Sequence, residues 1–361
     1  MLTTILMCQQ GIPFEVSPAR TQMVDELIRR GSKVILFFPG RVKNTKLKRK
    51  IDKIVNTGQM SCSAVRKKIY EKKPDIVICF TVEDAEICFP LPYIMKNTDF
   101  YYYNLEIYVH SLKSNFGGLF GQIMNKVDYL ENKIKEILYV RGCRSIVIQD
   151  RLRKKILKKY RISHPTTWLI PNSYNSPDDI CEKPRKKELI YSGSVSGDVL
   201  GSFIEHADEL KDIAITVSGW DHVNPKLKKN PNITVMTQNL SQEAYTRFIN
   251  TYDIALIWYS DQKDDNVYNI GLASGKFFKH LSLGQPVIVN NVPGLATEVR
   301  KNKLGAVVDD LSQLADAVQT IRANYDMYVE RIKQIYESKY DYKKVSCQFF
   351  DHIIERAERK R

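Results

Sequence analysis

The sequence predicts an α/β protein made of two domains, each built around a doubly wound parallel sheet. Short runs that are apolar throughout, such as Val34 to Phe38 and Ile76 to Phe80, alternate with longer segments whose apolar residues recur at helical spacing. Strands of this kind are typical of parallel sheets that helices cover on both faces. The chain has 361 residues, more than one core usually supports, and the alternation begins again after a polar segment at 173–187.

The first half alternates predicted strands and helices up to that polar segment. Gly31 follows the first helix directly, at the position where a glycine in left-handed conformation commonly ends a helix. Pro74 separates a later helix from the strand after it. We expect strands at 3–7, 34–38, 75–80 and 145–148, and helices at 17–30, at 61–72 and from about 151 to 160.

The second half repeats this pattern. We expect strands at 189–192, 213–218, 233–236, 254–258 and 287–289, and helices from about 201, at 242–251, from 274, and at 311–323, 327–336 and 344–358. The first domain is placed at 1–172 and the second at 173–340. The final helix, at about 341–361, is expected to pack back on the first domain.

The net charge of +14 is confined to the first half of the chain. Residues 1–172 hold 30 Lys and Arg against 15 Asp and Glu, whereas the remainder holds 25 against 26. The basic clusters at Lys46 to Lys50 and Arg151 to Arg161 suit an anionic partner such as a phosphorylated substrate or an anionic membrane surface. Nucleic acid is disfavoured, because no RNA-binding or helix-turn-helix signature accompanies the charge.

Three further observations favour the cytoplasm. The longest apolar runs are far shorter than the ~18 residues that a membrane helix needs. The N-terminus lacks the basic and continuous apolar regions of a secretory signal. The seven cysteines are odd in number and form no Cys-x-x-Cys pair, so neither a disulfide framework nor a zinc ribbon is supported.

The segment from Ser274 to Val289, SGKFFKHLSLGQPVIV, has the pattern of a phosphate-binding helix start followed by a buried strand. Ser274 is a good N-cap, Gly275 allows a ligand to approach the backbone, and Lys276 lies at the positive end of the helix dipole. Gly284 stands where a C-terminal cap belongs, and Pro286 opens an apolar strand. This combination suits a diphosphate.

Several segments occur in an order that is more informative than any one of them. They are ELIRRGSKVILFFP at 26–39, LIPN at 169–172, LIYSGS at 189–194, the stretch 240–256 with its Tyr-x-x-x-Asp start of a strand, and GQPVIVNNVPGLATEV at 284–299. In this order they resemble the GT-B glycosyltransferases, in particular the large retaining group called family 4. The resemblance implies a GT-B fold of two Rossmann-like domains, with acceptor binding in the first and nucleotide-sugar binding in the second.

The sequence departs from the family pattern at two places. The family carries two glutamates eight positions apart, which contact the donor sugar and the ribose, whereas Gly271 and Lys279 occupy the corresponding positions here. The family's basic pair after the first strand of the second domain is also missing, because residues 194–198 hold no Lys or Arg. Neutralisation of the diphosphate is therefore expected to depend more heavily on Lys276 and the helix N-terminus.

The candidate donor-binding residues lie at strand ends and at the helix start. A glycine at a strand end lets the backbone approach a ligand, although an ordinary tight turn explains the same residue nearly as well. The residues just before the capped helix offer hydroxyl and amide groups for sugar hydroxyls, although Asn in a loop is commonly a turn residue. The candidates are Gly11, Gly193, Ser194, Tyr268, Asn269, Ser274, Gly275 and Lys276.

The candidate catalytic residue is Glu106, within the aromatic run Phe100 to Tyr108. Aromatic rings stack on sugars, and a strand buried on both faces would rarely carry an unpaired glutamate. Glu106 would face the acceptor, as general base if the reaction inverts or as a stabilising charge if it retains. The segment 114–138 is either an acceptor-site helix, the reading we favour, or a helix on an anionic membrane surface.

These observations lead to one main functional hypothesis. The chain is expected to be a metal-independent hexosyltransferase without a cofactor. It would transfer a sugar from a nucleoside-diphosphate sugar, with UDP favoured over GDP, to a saccharide or lipid-linked acceptor in bacterial surface polysaccharide or glycoconjugate synthesis. The resemblance implies retention of configuration. The alternatives are a GT-B sugar-nucleotide epimerase and a non-catalytic partner subunit. Location in the cytoplasm, with peripheral contact at the inner face of the membrane, fits this activity.

Overall fold

The protein is represented by a computed structural model, and its backbone forms two compact units. The first unit combines Met1–Asn172 with Tyr342–Arg361, and the second is Ser173–Asp341. The structure describes residues 1–9, 14, 17–107, 130–131, 133–176, 186–192, 214–218, 229, 231–236, 240, 242–259 and 265–361. None of the helices in these ranges is long and apolar enough to cross a membrane.

The first unit contains a parallel sheet whose described strands follow the order β3-β2-β1-β4-β5-β6-β7. Its strands are β1 Leu2–Met7, β2 Ser32–Phe38, β3 Lys53–Asn56, β4 Ile76–Cys79, β5 Asp99–Tyr103, β6 Ser145–Ile148 and β7 Thr167–Leu169. The helices between them are α1 Pro18–Arg29, α2 Thr45–Lys50, α3 Cys62–Lys72, α4 Val82–Cys88, α5 Leu91–Ile94, α6 at 133–142 and α7 Arg151–Lys159.

The second unit contains a parallel sheet whose described strands follow the order β10-β9-β8-β11-β12-β13. Its strands are β8 Lys186–Ser192, β9 Ile215–Ser218, β10 Ile233–Met236, β11 Tyr252–Ile257, β12 Val287–Asn290 and β13 Gly305–Val308. Its described helices are α8 Gln242–Ile249, α9 Asp265–Tyr268, α10 Gly275–Ser282, α11 Leu295–Asn302, α12 Leu314–Ala323 and α13 Tyr325–Ile335, with a π-helical turn at Tyr336–Tyr340.

Helix α14, Tyr342–Glu358, returns to the first unit, where it contacts α1 and β1. Its ring of Phe349 packs edge-on against Tyr101 with ring centroids 6.0 Å apart. The buried carboxylate of Asp99, at the start of β5, accepts from Arg356 at 3.1 Å and from Arg144 at 2.7 Å, and it also binds Lys360. Apolar packing and ion pairs therefore both hold the last twenty residues to this sheet.

Most predicted elements of both sheets are present, with ends within about three residues of those predicted. The aromatic run at 100–108 is an exception, because its first part is β5, an inner strand of the sheet between β4 and β6. The rings of Tyr101, Tyr102 and Tyr103 are fully buried in the two apolar layers that cover the sheet. The expectation that this run presents rings to a sugar is therefore wrong for these three residues. The predicted helix from about 201 lies outside the described residues.

In both sheets the strand order reverses next to the first strand of the unit. In the second unit this switch lies between β8 and β11, which pair in parallel through Ile190 with Ala255 and Tyr191 with Leu256. Loops leave neighbouring strands in opposite directions at such a point and open a crevice at the carboxyl ends of the strands, where α/β proteins bind ligands. The candidate helix α10 begins near the end of β11.

Candidate functional site

The start of α10 is capped as its sequence predicts. The Ser274 hydroxyl oxygen accepts from the backbone amide of Phe277 at 3.2 Å, and Ser274 is buried with extended backbone. Its hydroxyl also lies 2.6 Å from the hydroxyl of Tyr259, just beyond β11. Gly284 has a φ of 70° after the last turn, in agreement with its predicted capping role. The cap therefore fixes both the helix start and a tyrosine beside it.

Lys276 lies in the first turn of α10 and points across the end of the sheet. Its Nζ donates to the carbonyl oxygen of Trp258 at 3.0 Å. The ammonium stands 3.9 Å from the ring centroid of Tyr259 and 5.3 Å from that of Tyr191, at the end of β8. Part of the side chain remains accessible, yet the surrounding protein removes enough water from the ammonium to lower its pKa to about 7. Lys276 has no carboxylate partner within the described residues.

Lys279 occupies the position of the second family glutamate and is also a cation without a described acid partner. Its Nζ stands 4.7 Å from the ring centroid of Tyr174, and burial lowers the pKa of its ammonium to about 8. One face of α10 thus carries two partly desolvated lysines a single turn apart. Such a pair is stabilised when an anion with more than one charge binds beside it.

Gly271 occupies the position of the first family glutamate, and its backbone explains why no side chain is present. Its φ is 44°, in the left-handed region that favours glycine. A glutamate at this position would be strained. The departure from the family pattern is therefore built into the backbone at the short 3₁₀ turn Gly271–Ala273, which precedes Ser274.

The chain after β11 is held against the end of β12 by one side chain. The Asn290 amide oxygen accepts from the backbone amide of Tyr259 at 3.0 Å, and the Asn290 amide nitrogen donates to the Tyr259 carbonyl oxygen at 2.7 Å. This pair of bonds mimics one more step of the parallel ladder. It fixes the backbone of the tyrosine that contacts both Ser274 and Lys276.

The remaining candidate donor residues are placed less decisively. Tyr268 and Asn269 are half-buried at the end of α9, where Tyr268 packs against the apolar layer that contains α10 and Asn269 lies in a turn. Gly275 is half-buried at the first position of α10. Gly11, Gly193 and Ser194 lie outside the described residues. The structure brings Ser274, Gly275 and Lys276 together at one end of the sheet.

A buried polar chain beneath this site was missed by the sequence analysis. His280, on α10, contacts the hydroxyl of Ser192 through Nε2 and the Gln285 amide oxygen through Nδ1 at 2.6 Å. All three side chains are at most 2% exposed. The signal available in the sequence was His280 itself, which follows Lys276 by one helical turn among apolar residues.

The predicted catalytic residue lies in the first unit, just beyond β5. Glu106 is half-buried, and no residue in the described part of the chain forms an ion pair or hydrogen bond with it. Nearby, Arg153 is fully buried and donates to the carbonyl oxygen of Leu105 at 3.1 Å. That bond fixes the backbone immediately before Glu106, so the carboxylate extends from an anchored segment.

A second glutamate of the first unit was not predicted. Glu136, on α6, is 3% exposed and accepts from the hydroxyl of Tyr102 at 2.7 Å. Burial raises the pKa of its carboxyl to about 7, even though the bond from Tyr102 opposes this shift. Asn104 donates to the same tyrosine hydroxyl at 3.2 Å. A carboxyl that titrates near neutrality thus lies under the carboxyl end of β5.

Another buried carboxylate of the first unit, that of Asp84, has a structural role. Asp84 accepts from the backbone amides of Phe80 at 2.9 Å, Thr81 at 3.0 Å and Gln9 at 2.7 Å. It forms a capping box with Thr81 at the start of α4 and links the ends of β1 and β4. Burial raises the pKa of its carboxyl to about 6. Among the described residues, no group of three or more His, Cys, Asp or Glu is arranged to hold a metal ion.

Comparison with known proteins agrees with this architecture. Residues 189–340 match the family described as glucosyltransferase 3-like, C-terminal domain. Nothing among the curated proteins matches the chain significantly. The matched residues lie within the second unit, Ser173–Asp341, and cover most of it.

Solved structures similar to the whole chain are glycosyltransferases and related synthases. HepE from Anabaena, in complex with UDP and glucose, has a TM-score of 0.70 at 12% identity over 98% of this chain and 100% of its own. Sucrose-phosphate synthase from Thermosynechococcus elongatus has 0.69 at 12% identity, and WaaG, a glycosyltransferase involved in lipopolysaccharide biosynthesis, has 0.67 at 14%; each match covers 98% of this chain and 99% of the other. The predicted GT-B fold is confirmed.

Proposed function

We propose that this chain is a glycosyltransferase that takes a sugar from a nucleoside-diphosphate sugar and transfers it to a saccharide or lipid-linked acceptor. The observation that carries the proposal is the environment of Lys276. A lysine without a described acid partner, held over two tyrosine rings at a capped helix start, is poised for an anionic ligand. The departing diphosphate of a sugar nucleotide is such a ligand, and its charge grows in the transition state.

The donor would bind in the second unit at the carboxyl ends of β8 and β11. Ser274, Gly275 and Lys276 would hold the diphosphate, and Tyr268 and Asn269 would offer groups to the sugar. Gly193 and Ser194, directly after β8, and Gly11, after β1, complete the proposed donor-binding set. We favour UDP as the nucleotide, because HepE has been crystallised with UDP and with UDP-glucose.

The acceptor would bind in the first unit, residues 1–172 together with the last helix. Glu106 is proposed to act there as general base in an inverting reaction or as a stabilising charge in a retaining one, and retention follows from the family resemblance. The basic face of α7, with Arg151, Lys154 and Lys158 exposed, suits an acceptor with a lipid diphosphate and peripheral contact with an anionic membrane at its cytoplasmic face. Transfer of a hexose without a metal ion in surface polysaccharide or glycoconjugate synthesis fits these features.

Calorimetric titration with UDP, GDP and CMP tests the donor assignment. We expect UDP to bind most tightly, and Lys276→Met to weaken its binding by roughly tenfold to a hundredfold, because a hydrogen bond to a charged group contributes about 1.5–3 kcal/mol. Lys333→Met is the matched control, since Lys333 is exposed on α13. Equal UDP affinity in the wild type and in Lys276→Met would rule out this site.

The same protein preparation separates the two alternative functions. A sugar-nucleotide epimerase would convert a UDP-sugar to its epimer without an acceptor, which chromatography of the nucleotide sugars detects. A non-catalytic partner subunit would show neither transfer nor epimerisation over a panel of donors and acceptors. Transfer of labelled sugar to an added saccharide or polyprenyl diphosphate acceptor supports the main proposal.

A further inference from the structure

The buried chain of Ser192, His280 and Gln285 links three parts of the second unit. Ser192 is the last residue of β8, His280 lies on α10, and Gln285 stands in the turn before β12. The Gln285 amide nitrogen donates to the carbonyl oxygens of Ile249 and Tyr252, both at 2.7 Å. These two bonds anchor the chain to the segment that leads from α8 into β11.

The direction of each hydrogen bond follows from that anchor. Because the Gln285 amide nitrogen faces two carbonyls, its amide oxygen faces His280 and can only accept. His280 Nδ1 must therefore carry the proton, and a neutral ring then leaves Nε2 as an acceptor. The Ser192 hydroxyl must donate to Nε2. With the imidazole neutral, each donor in this series of bonds faces an acceptor.

The surroundings of His280 keep it neutral. Burial, together with the charges of Lys279 and Lys276, lowers the pKa of the imidazole to about 4 against an opposing contribution from the hydrogen bond to Gln285. A protonated ring would be a third cation beside two lysines that lack described acid partners. His280 therefore supplies a hydrogen bond to β8 without adding charge to the site.

The two elements joined by the His280–Ser192 bond, α10 and β8, also carry Lys276 and the Tyr191 ring that it contacts. Lys276 and His280 are one turn apart on α10, and they meet the adjacent residues Tyr191 and Ser192 of β8. The contact at His280 is a directional hydrogen bond, whereas the contact at Lys276 is a cation above a ring. The His280–Ser192 hydrogen bond thus sets the distance and angle between the Lys276 ammonium and the Tyr191 ring.

We propose that His280 is a positioning residue: its bond to Ser192 holds α10 against β8 so that the Lys276 ammonium stays between the Tyr191 and Tyr259 rings. The importance of this position for catalysis rests on the proposed function, but the effect on Lys276 itself does not. Among the described residues, Lys276 contacts the Tyr191 ring from β8 and, at the end of β11, the Tyr259 ring and the Trp258 carbonyl oxygen.

Ser192→Ala tests the proposal without altering the helix that carries Lys276. The measurement is the pH dependence of Lys276 acylation by acetic anhydride, followed by peptide mass spectrometry in the absence of any nucleotide. In the wild type we expect the reactivity midpoint near the lowered pKa of Lys276. Loss of the bond should let α10 move away from β8 and water reach the ammonium, which raises the midpoint by about one pH unit or more.

Two further variants separate positioning from general loss of stability. Ser192→Thr keeps the hydroxyl and should restore the wild-type midpoint. Ser282→Ala removes a hydroxyl from the same helix that donates to the Lys279 carbonyl at 2.8 Å and contacts Tyr336, and it should leave the midpoint unchanged. A midpoint in Ser192→Ala that equals or falls below the wild-type value would overturn the proposal.

UDP titration of the same variants distinguishes this proposal from the proposed function. If the wild type and Ser192→Ala differ in the Lys276 midpoint but neither binds UDP, the positioning role stands and the donor assignment fails. If the wild type binds UDP and Ser192→Ala has an unchanged midpoint, the donor assignment stands and the positioning role fails. If both are right, Ser192→Ala binds UDP more weakly, and Ser192→Thr binds as the wild type does.

Discussion

The ammonium of Lys276 stands 3.9 Å from the ring centroid of Tyr259, and the hydroxyl of the same tyrosine lies 2.6 Å from the hydroxyl of Ser274. One aromatic side chain therefore contacts both the N-cap and the cation of the candidate diphosphate site. Its backbone is fixed by Asn290. A substitution at Ser274, Tyr259 or Lys276 is therefore expected to disturb the positions of the other two side chains.

Tyr259→Phe should separate the ring from the hydroxyl of this tyrosine. The ring contact with Lys276 is kept, while the bond to Ser274 is lost, so we expect UDP affinity to fall by only about fivefold, as for the loss of one neutral hydrogen bond of about 1 kcal/mol. Tyr259→Leu removes both and should reduce affinity further. Calorimetry on both variants checks the order, and equal affinities for Phe and Leu would contradict a role for the ring.

Binding of UDP should be accompanied by proton uptake. The pKa of Lys276 is about 7 in the free protein, so at pH 7 roughly half of the molecules carry an uncharged amine there. A diphosphate beside the ammonium raises that pKa, and binding then takes up roughly half a proton from the buffer. Calorimetry at pH 7 in buffers with different ionisation enthalpies measures the uptake. Lys276→Met should abolish this contribution.

Glu136→Gln should stabilise the protein at alkaline pH. The folded-state pKa of this carboxyl is about 7, above its ordinary value of 4.5. Below pH 4.5 the Glu136 carboxyl is protonated in both the folded and the unfolded state, so it does not reduce the free energy of unfolding. Between the two values the folded state binds more protons, so stability falls as pH rises. Urea unfolding at pH 5 and pH 8 should show a larger loss in the wild type than in the variant, with Glu131→Gln, which is exposed, as the control.

Glu106→Gln should impair transfer without impairing donor binding. If its carboxylate acts on the acceptor, kcat should fall by about 10²- to 10⁴-fold, the usual contribution of a general base. The affinity for UDP should stay within a factor of about two, because Glu106 belongs to the first unit and the residues proposed to hold the diphosphate, Ser274 to Lys276, belong to the second. Glu131→Gln again provides the control. A variant that transfers sugar at the wild-type rate would remove Glu106 from the mechanism.

The sequence was sufficient to predict the alternation of strands and helices, because buried parallel strands leave an unmistakable apolar pattern. It was also sufficient for the Ser274 cap, which depends on local residues alone. It failed at β5, since Tyr is both an apolar core residue and a sugar-binding residue, and composition does not separate the two. These rings are buried by contacts with strands and helices that lie far away along the chain.

The Ser192, His280 and Gln285 chain escaped prediction for a related reason. Its members are separated by 88 and 5 positions, and each alone has an ordinary interpretation. The lowered pKa of Lys276 was likewise invisible, because it arises from Tyr191, Tyr259 and the shielding that they provide together. Local sequence patterns thus predicted where the site lies, whereas the pKa of Lys276 depends on which strands are neighbours in the sheet.

The return of α14 to the first unit has a consequence for synthesis of the chain on the ribosome. Phe349, Phe350 and Ile353 complete the apolar layer over β1 and β2, yet they are made after the whole of the second unit. The apolar layer of the first unit therefore stays uncovered until the residues of α14 have been made. A ribosome that stalls before residue 342 would therefore release a protein with a finished second unit and an aggregation-prone first one.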